Sequence, residues 1–241
     1  MSLPKIDLPI YDLKIPSTGQ EIKVRPFKVK EEKMLLIAAE SNDVNEIVNT
    51  TKQVINNCVL TEGIDVEKLP FFDVDFLFIA LRAKSVGESI ALEFTCNAVI
   101  DDKKCGHVYE GELDLTNCRI VKNDTIETNV NLGGGTFVKM KYPNYSIMKI
   151  IEVGEDVFDR KIKIIASCIE MIQKGDDIYT LKDVTKKELV EFIENLSENQ
   201  YSKLEAFIDN FPYFVVDIDT ECPKCKTKHR KEYRDFSSFF Q

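Results

Sequence analysis

The chain has 241 residues, with 32 Lys plus Arg against 41 Asp plus Glu, a formal net charge of −9, and 44% hydrophobic residues. That balance excludes a disordered or fibrous polymer and is enough to bury a core, as one large or two small domains, without disulfides. It also counts against non-specific nucleic-acid binding, which rests on neutralising phosphates with Lys and Arg.

Residues 10–26 read as a hairpin. Ile10, Tyr11, Leu13 and Ile15 precede Pro16-Ser17-Thr18-Gly19, and Ile22, Val24 and Phe27 follow at period two. Residues 29–40 switch to helical spacing, with Glu31 and Glu32 in the first turn, where acidic side chains suit the helix dipole. Val44, Ile47, Val48, Thr51, Val54, Ile55 and Cys58 mark an amphipathic helix over 43–59, with Ser41, Asn42 and Asp43 as cap candidates. A third helix is expected from about Val74 to Lys84, stopped by Gly87.

The pattern turns to β at Glu88. Strands are expected at 89–96 and 107–115, then at 117–121, 126–132 and 136–142, with Gly133-Gly134-Gly135 as a turn. Residues 145–173 carry helical spacing through Ile147, Ile150, Ile151, Ile162, Ile165, Ala166, Ile169 and Ile172, with Gly175 as the stop. Thr185-x-x-Glu188 and Ser197-x-x-Gln200 are capping-box signatures for two further helices. Phe214, Val216 and Ile218 form a strand whose return is 227–234. These elements define an α+β fold in four regions: 1–87, 88–142, 143–212 and 213–241. Strand, Cys pair, strand occurs twice, at 89–115 and 214–234.

Seven Cys and two His make the cysteines the informative residues. The N-terminus carries Lys5 and Asp7 and no apolar run of signal-peptide length, and the most apolar stretch, Phe76 to Leu81, is far short of a membrane span. A reducing cytoplasm is therefore expected, where Cys pairs read as metal ligands before disulfides. Cys222-Pro223-Lys224-Cys225 is a C-x2-C knuckle between two strands. Such a turn aims two thiolates at one tetrahedral zinc ion. Cys96 and Cys105, in the other hairpin, complete a four-cysteine structural Zn2+ site that packs 213–241 against 88–142 as a zinc-ribbon-like module. His107 and His229 lie just beyond the two pairs, and either could replace a Cys. Cys58, Cys118 and Cys168 read as buried thiols. A thioredoxin-like role for Cys222 and Cys225 conflicts with the strand that follows them.

Residues 222–234 are locally basic, with Lys224, Lys226, Lys228, Arg230, Lys231 and Arg234 against Glu232. This is a solvated face beside the thiolates in one reading and a contact for an acidic partner or nucleic acid in another. The aromatic pattern of RNA-binding modules is missing, which disfavours nucleic acid. No phosphate-loop, Gly-x-Ser-x-Gly or His-based catalytic pattern is present, so no catalytic residue is assigned. Phe71-Phe72 and Phe236, Phe239 and Phe240 are interface candidates.

The stretch Ser17-Thr18-Gly19-Gln20-Glu21-Ile22-Lys23-Val24-Arg25-Pro26-Phe27-Lys28-Val29-Lys30-Glu31-Glu32-Lys33 resembles the N-terminal signature of baseplate hub proteins of T-even-like contractile-tailed bacteriophages. Phe72-Asp73-Val74-Asp75-Phe76-Leu77 and Leu81-Arg82-Ala83-Lys84-Ser85-Val86-Gly87-Glu88 resemble its second signature. The resemblance covers about residues 1–115 and resumes at 212–240. One departure stands out: the family leads one to expect a short C-x2-C in the first hairpin, where this chain has Cys96-x8-Cys105. The resemblance implies a non-enzymatic hub or hub-assembly protein of the phage tail baseplate, located in the virion or in the host cytoplasm during assembly. Its implied partners are other hub or tail proteins or further copies of itself, with no membrane. The alternatives are a nucleic-acid-binding zinc-ribbon module and, ranked below it, a zinc-dependent enzyme.

Overall fold

The computed structural model describes residues 6–41, 43–149 and 156–234. In chain order the elements are β1 (Tyr11–Lys14), β2 (Glu21–Val24), α1 (Val29–Ser41), α2 (Val44–Cys58), α3 (Phe71–Ser85), β3 (Ser89–Thr95), β4 (Val99–Ile100), β5 (Lys103–Lys104), β6 (Val108–Asp114), β7 (Cys118–Val121), β8 (Asn129–Gly133), β9 (Thr136–Met140), α4 (Val157–Cys168), β10 (Ile169–Lys174), β11 (Asp177–Thr180), α5 (Lys186–Glu194), α6 (Glu198–Asp209), β12 (Tyr213–Glu221) and β13 (Lys228–Tyr233). The mixture of helices and antiparallel sheet is α+β. None of the described helices is long and apolar enough to cross a membrane.

The local chemistry explains most boundaries. Asp43 caps α2, accepting from the Asn45 and Glu46 N–H groups at 2.8 and 3.4 Å. Thr185 and Glu188 form the reciprocal capping box of α5. At the start of α6, the Gln200 side chain accepts from the Ser197 N–H at 3.0 Å. Each arrangement satisfies donors that the first helical turn leaves orphaned.

The chain forms two compact units. The first is built from described residues within Met1–Val66, Phe72–Val121 and Tyr213–Gln241, the second from those within Glu67–Phe71 and Lys122–Pro212. In the first unit, β1 and β2 pair as the expected hairpin, Tyr11 opposite Val24. Ile15, Ile22, Val24, Val54, Ile55, Leu77, Phe78 and Leu81 are buried. Two carboxylates are buried with them. Glu31 is held by Arg25 and by the Lys28 N–H, and Asp73 accepts from the Ser17 N–H at 2.9 Å and from the Ser17 hydroxyl. The β part of this unit contains the pair β3–β6 and the sheet β13-β12-β7. Arg119 on β7 ties that sheet together, donating to both carboxylate oxygens of Asp217 and to Glu232.

The second unit is a four-stranded antiparallel sheet, β11-β10-β9-β8, with α4, α5 and α6. Val138, Met140, Ile162, Ile165, Ile169, Ile172, Leu189, Ile193, Leu204 and Phe207 form its core. Here the structure departs from the expected 145–173 helix. Residues 145–149 form a 3-10 turn, Ile150 and Ile151 lie outside the described residues, and α4 ends at Cys168. Ile169 is extended, and 169–174 runs as a central strand between β9 and β11. Isoleucines at 165, 169 and 172 fit a helical stripe, but a buried strand takes β-branched residues equally well, and the sheet decides. Gly175 accordingly sits in the β10–β11 turn and ends no helix.

Phe71 and Phe72 are absorbed by packing. Phe72 is buried, and Phe71 meets Tyr145 and Phe211 edge-on. Phe236, Phe239 and Phe240 lie outside the described residues.

Candidate metal centre

The four cysteines converge at the ends of two hairpins of the first unit. Cys96 and Cys105 follow β3 and precede β6; Cys222 and Cys225 join β12 to β13. All four sulfurs lie within 4.8 Å of one another. Cys96 Sγ is 3.5 Å from Cys225 Sγ, and Cys105 Sγ is 3.9 Å from Cys222 Sγ. A tetrahedral ion with sulfur ligands at about 2.3 Å sets its sulfurs roughly 3.8 Å apart, so the cluster has the dimensions to hold one metal ion. All seven cysteines are free thiols. Cys96 and Cys222 are buried, and Phe94 and Tyr109 pack around them.

The two turns share one backbone pattern. The Cys96 N–H donates to His107 O at 2.8 Å, and the Cys222 N–H donates to Thr227 O at 3.0 Å. The Gly106 N–H donates to Cys96 O at 3.1 Å, and the Lys226 N–H donates to Cys222 O at 2.8 Å. In each pair the bonds join the first cysteine to the residues one and two beyond the second. Gly106 and Lys226, each following the second cysteine, both take positive φ, 58° and 61°. The eight residues between Cys96 and Cys105 are thus a two-residue knuckle, Asn97-Ala98, plus an insert, 99–104. The insert folds on itself as the β4–β5 hairpin, Val99 opposite Lys104, and turns through Asp101 and Asp102, both with positive φ. Beneath it the Cys105 N–H donates to Ala98 O at 2.8 Å, closing the knuckle. The repeated strand–Cys pair–strand pattern is therefore two copies of one turn, and the long spacing leaves the shared backbone pattern intact.

The hairpins are held face to face. Tyr109 and Thr220 hydroxyls are 2.9 Å apart. Gly111 on β6 permits this approach: a Cβ there would stand 2.8 Å from Phe94 Cε2 and 3.1 Å from Thr220 Cγ2.

The thiols differ electrostatically. Burial pushes Cys96 up to about 12, although an N–H from Ala98 acts against it. A hydrogen bond between its sulfur and the Thr227 hydroxyl, 3.3 Å apart, and one from the Thr227 backbone N–H draw Cys225 down to about 6. N–H groups aimed at sulfur favour the thiolate, the form that binds metal. His229 Nε2 lies 3.2 Å from Cys96 Sγ, so this ring contacts a sulfur and stands outside the four-sulfur cluster. His107 stacks on Tyr109 instead. Cys58 and Cys168 are buried, and Cys118 on β7 is half-buried. Burial raises all three, Cys58 to about 11 and the others to about 12, which suits inert thiols.

The structure brings together the four cysteines that the sequence offered as ligands, and adds neighbours that the sequence reading missed. Thr227 and Ala98 lie two residues after a cysteine, and that position relative to a knuckle is the signal that could have found them.

No curated protein and no solved structure matches the chain. A family model does: the one described as T4 bacteriophage base plate protein matches residues 8–241.

Proposed function

The chain belongs to the family of T4 bacteriophage base plate proteins, and from that membership we propose that it is a non-enzymatic structural or assembly protein of the tail baseplate hub, with a structural zinc ion on Cys96, Cys105, Cys222 and Cys225. The family match over 8–241 carries the reading. The zinc assignment rests on the donor set: four sulfurs within 4.8 Å of one another, half of them buried, on two sequence-distant turns that share a backbone hydrogen-bond pattern. Thiolates in a tetrahedral set of this kind are the ligands of structural zinc, and four of them leave no open position for a substrate. The ion would fix the two hairpins to each other, and through them the module that presents surfaces to neighbouring tail proteins in the virion or during assembly. Binding free energy at such a site is folding free energy.

Two measurements test this reading. Purified protein should contain about one zinc per chain, and Cys222→Ser should lose both the zinc and several degrees of melting temperature. An unchanged zinc content and melting temperature would sink the structural-zinc assignment. Mass spectrometry of purified virions beside infected-cell lysate, with co-purification, should find the chain with hub or tail proteins. A strictly monomeric protein with no tail partner would sink the hub assignment.

A further inference from the structure

The insert 99–104 does nothing for the metal centre. The knuckle is closed beneath it by the Cys105–Ala98 and Gly106–Cys96 backbone bonds, as the second knuckle is closed with no insert at all. The insert still has a defined shape, a two-rung hairpin. It also holds apolar side chains in water: Val99 is 62% exposed and Ile100 44%. Exposed β-branched residues on a hairpin that supports no core are what an interaction tip looks like.

Charge surrounds this tip. Lys103 and Lys104 on the insert and Lys224, Lys226 and Lys228 on the second knuckle are all exposed. Among the described residues none of the five has an ion-pair partner, whereas Lys23, Lys84, Lys139 and Lys161 elsewhere are all paired with carboxylates. The convergence of the four sulfurs brings these lysines together, since Lys104 adjoins Cys105 and Lys224 and Lys226 flank Cys225. The five lysines outnumber the exposed carboxylates beside them, Asp101 and Asp102 of the same insert and Glu221 at the edge of the second knuckle, so a chain of net charge −9 carries a local surplus of positive charge here.

We propose that the two knuckles and the insert form a docking surface for an acidic, amphipathic segment of another protein. The lysines would steer and orient its carboxylates, and Val99 and Ile100 would bury its apolar residues. The apolar tip favours a protein over nucleic acid, because among the described residues no exposed aromatic accompanies the lysines for base stacking, and the chain as a whole repels a polyanion. The inference deepens the baseplate reading by giving the partner's chemistry, and it rests on that reading for the existence of a protein partner.

The test uses the full-length, zinc-loaded chain and fluorescence anisotropy. The probes are a labelled peptide with alternating Glu and Leu pairs, an oligoglutamate of equal charge, and a DNA duplex of equal charge. The Glu/Leu peptide should bind most tightly. The triple variant Lys104→Glu, Lys224→Glu, Lys228→Glu should weaken it about tenfold or more at low salt. Val99→Ser with Ile100→Ser should weaken it severalfold at high salt too, and should erase its advantage over oligoglutamate. Tighter binding of the duplex would overturn the proposal in favour of nucleic acid. Self-association abolished by the triple variant would overturn it in favour of a second copy. Zinc loss in the triple variant, with peptide binding unchanged, would show that the lysines serve the metal centre. Absence of peptide binding in a protein that keeps its zinc and still enters virions would sink this surface and leave the hub assignment standing.

Discussion

The Arg25 guanidinium closes on the Glu31 carboxylate at 2.9 Å, and Glu31 is fully buried. Arg25 also donates to Asn57 O at 2.7 Å and approaches Cys58 Sγ at 3.7 Å. One side chain therefore joins the exit of the N-terminal hairpin to the start of α1 and the end of α2. Removing it with Arg25→Ala leaves a buried carboxylate whose one remaining counter-ion is the exposed Lys30, 3.7 Å away. Such losses cost about 3–5 kcal/mol. Chemical denaturation should show it, and the additional change Glu31→Gln should recover part of the loss.

The same carboxylate gives a pH dependence. Burial alone would raise Glu31, but Arg25 and the Lys28 N–H outweigh it and hold the folded group below the usual carboxylate range. Its contribution is thus present above the unfolded-state value and is lost as pH falls through the folded one. Asp73 runs the other way: burial raises it despite two hydrogen bonds from Ser17, so acid relieves a cost there. Stability measured as a function of pH in wild type and in Glu31→Gln should converge in acid, and a constant gap would refute the assignment.

Excising 99–104 should yield a Cys-Asn-Ala-Cys knuckle that keeps the metal. Zinc stoichiometry and melting temperature should be close to those of the parent chain. Loss of zinc on excision would mean that the two turns are not equivalent.

Lys226 holds φ 61° where its counterpart at the other knuckle is glycine. A side chain there costs about 1–2 kcal/mol, and glycine gives part of that back through its freer unfolded state. Lys226→Gly should therefore stabilise the chain by about 0.5–1 kcal/mol in denaturant titration with zinc content unchanged.

Gly111→Val should do the opposite. Its Cβ would press on Phe94 and Thr220 between the two hairpins. Overpacking of this kind costs about 1–3 kcal/mol. Weaker zinc retention against a chelator should accompany the lower melting temperature.

Much of the fold was legible because local chemistry and tertiary packing agree. The α2 stripe, a cap among Ser41, Asn42 and Asp43, the α5 capping box and the β1–β2 hairpin all follow from residue spacing, and the structure selects Asp43. The α4–β10 boundary was not legible, because Ile165, Ile169 and Ile172 satisfy a helical period and a buried strand alike, and nothing local marks the change at Ile169. At the cysteine cluster the C-x2-C of Cys222 and Cys225 is readable by its spacing. The equivalence of Cys96-x8-Cys105 is not, since it resides in backbone hydrogen bonds that residue types do not encode. The convergence of the two turns, expected from the Cys pairs, is realised through the β6–β12 packing that Gly111 allows.

The placement of the second unit has a consequence for synthesis. β7 leaves the first unit at Val121, and its partner β12 begins at Tyr213. At about 5–20 residues per second on the ribosome, β7 emerges several seconds before the strand it pairs with. During that interval Cys96 and Cys105 stand without Cys222 and Cys225. The intervening unit is complete before β12 arrives, so its own folding can shorten the gap that the chain must close. The sheet and the sulfur cluster can therefore be finished only once β12 and β13 have been made, and are finished together.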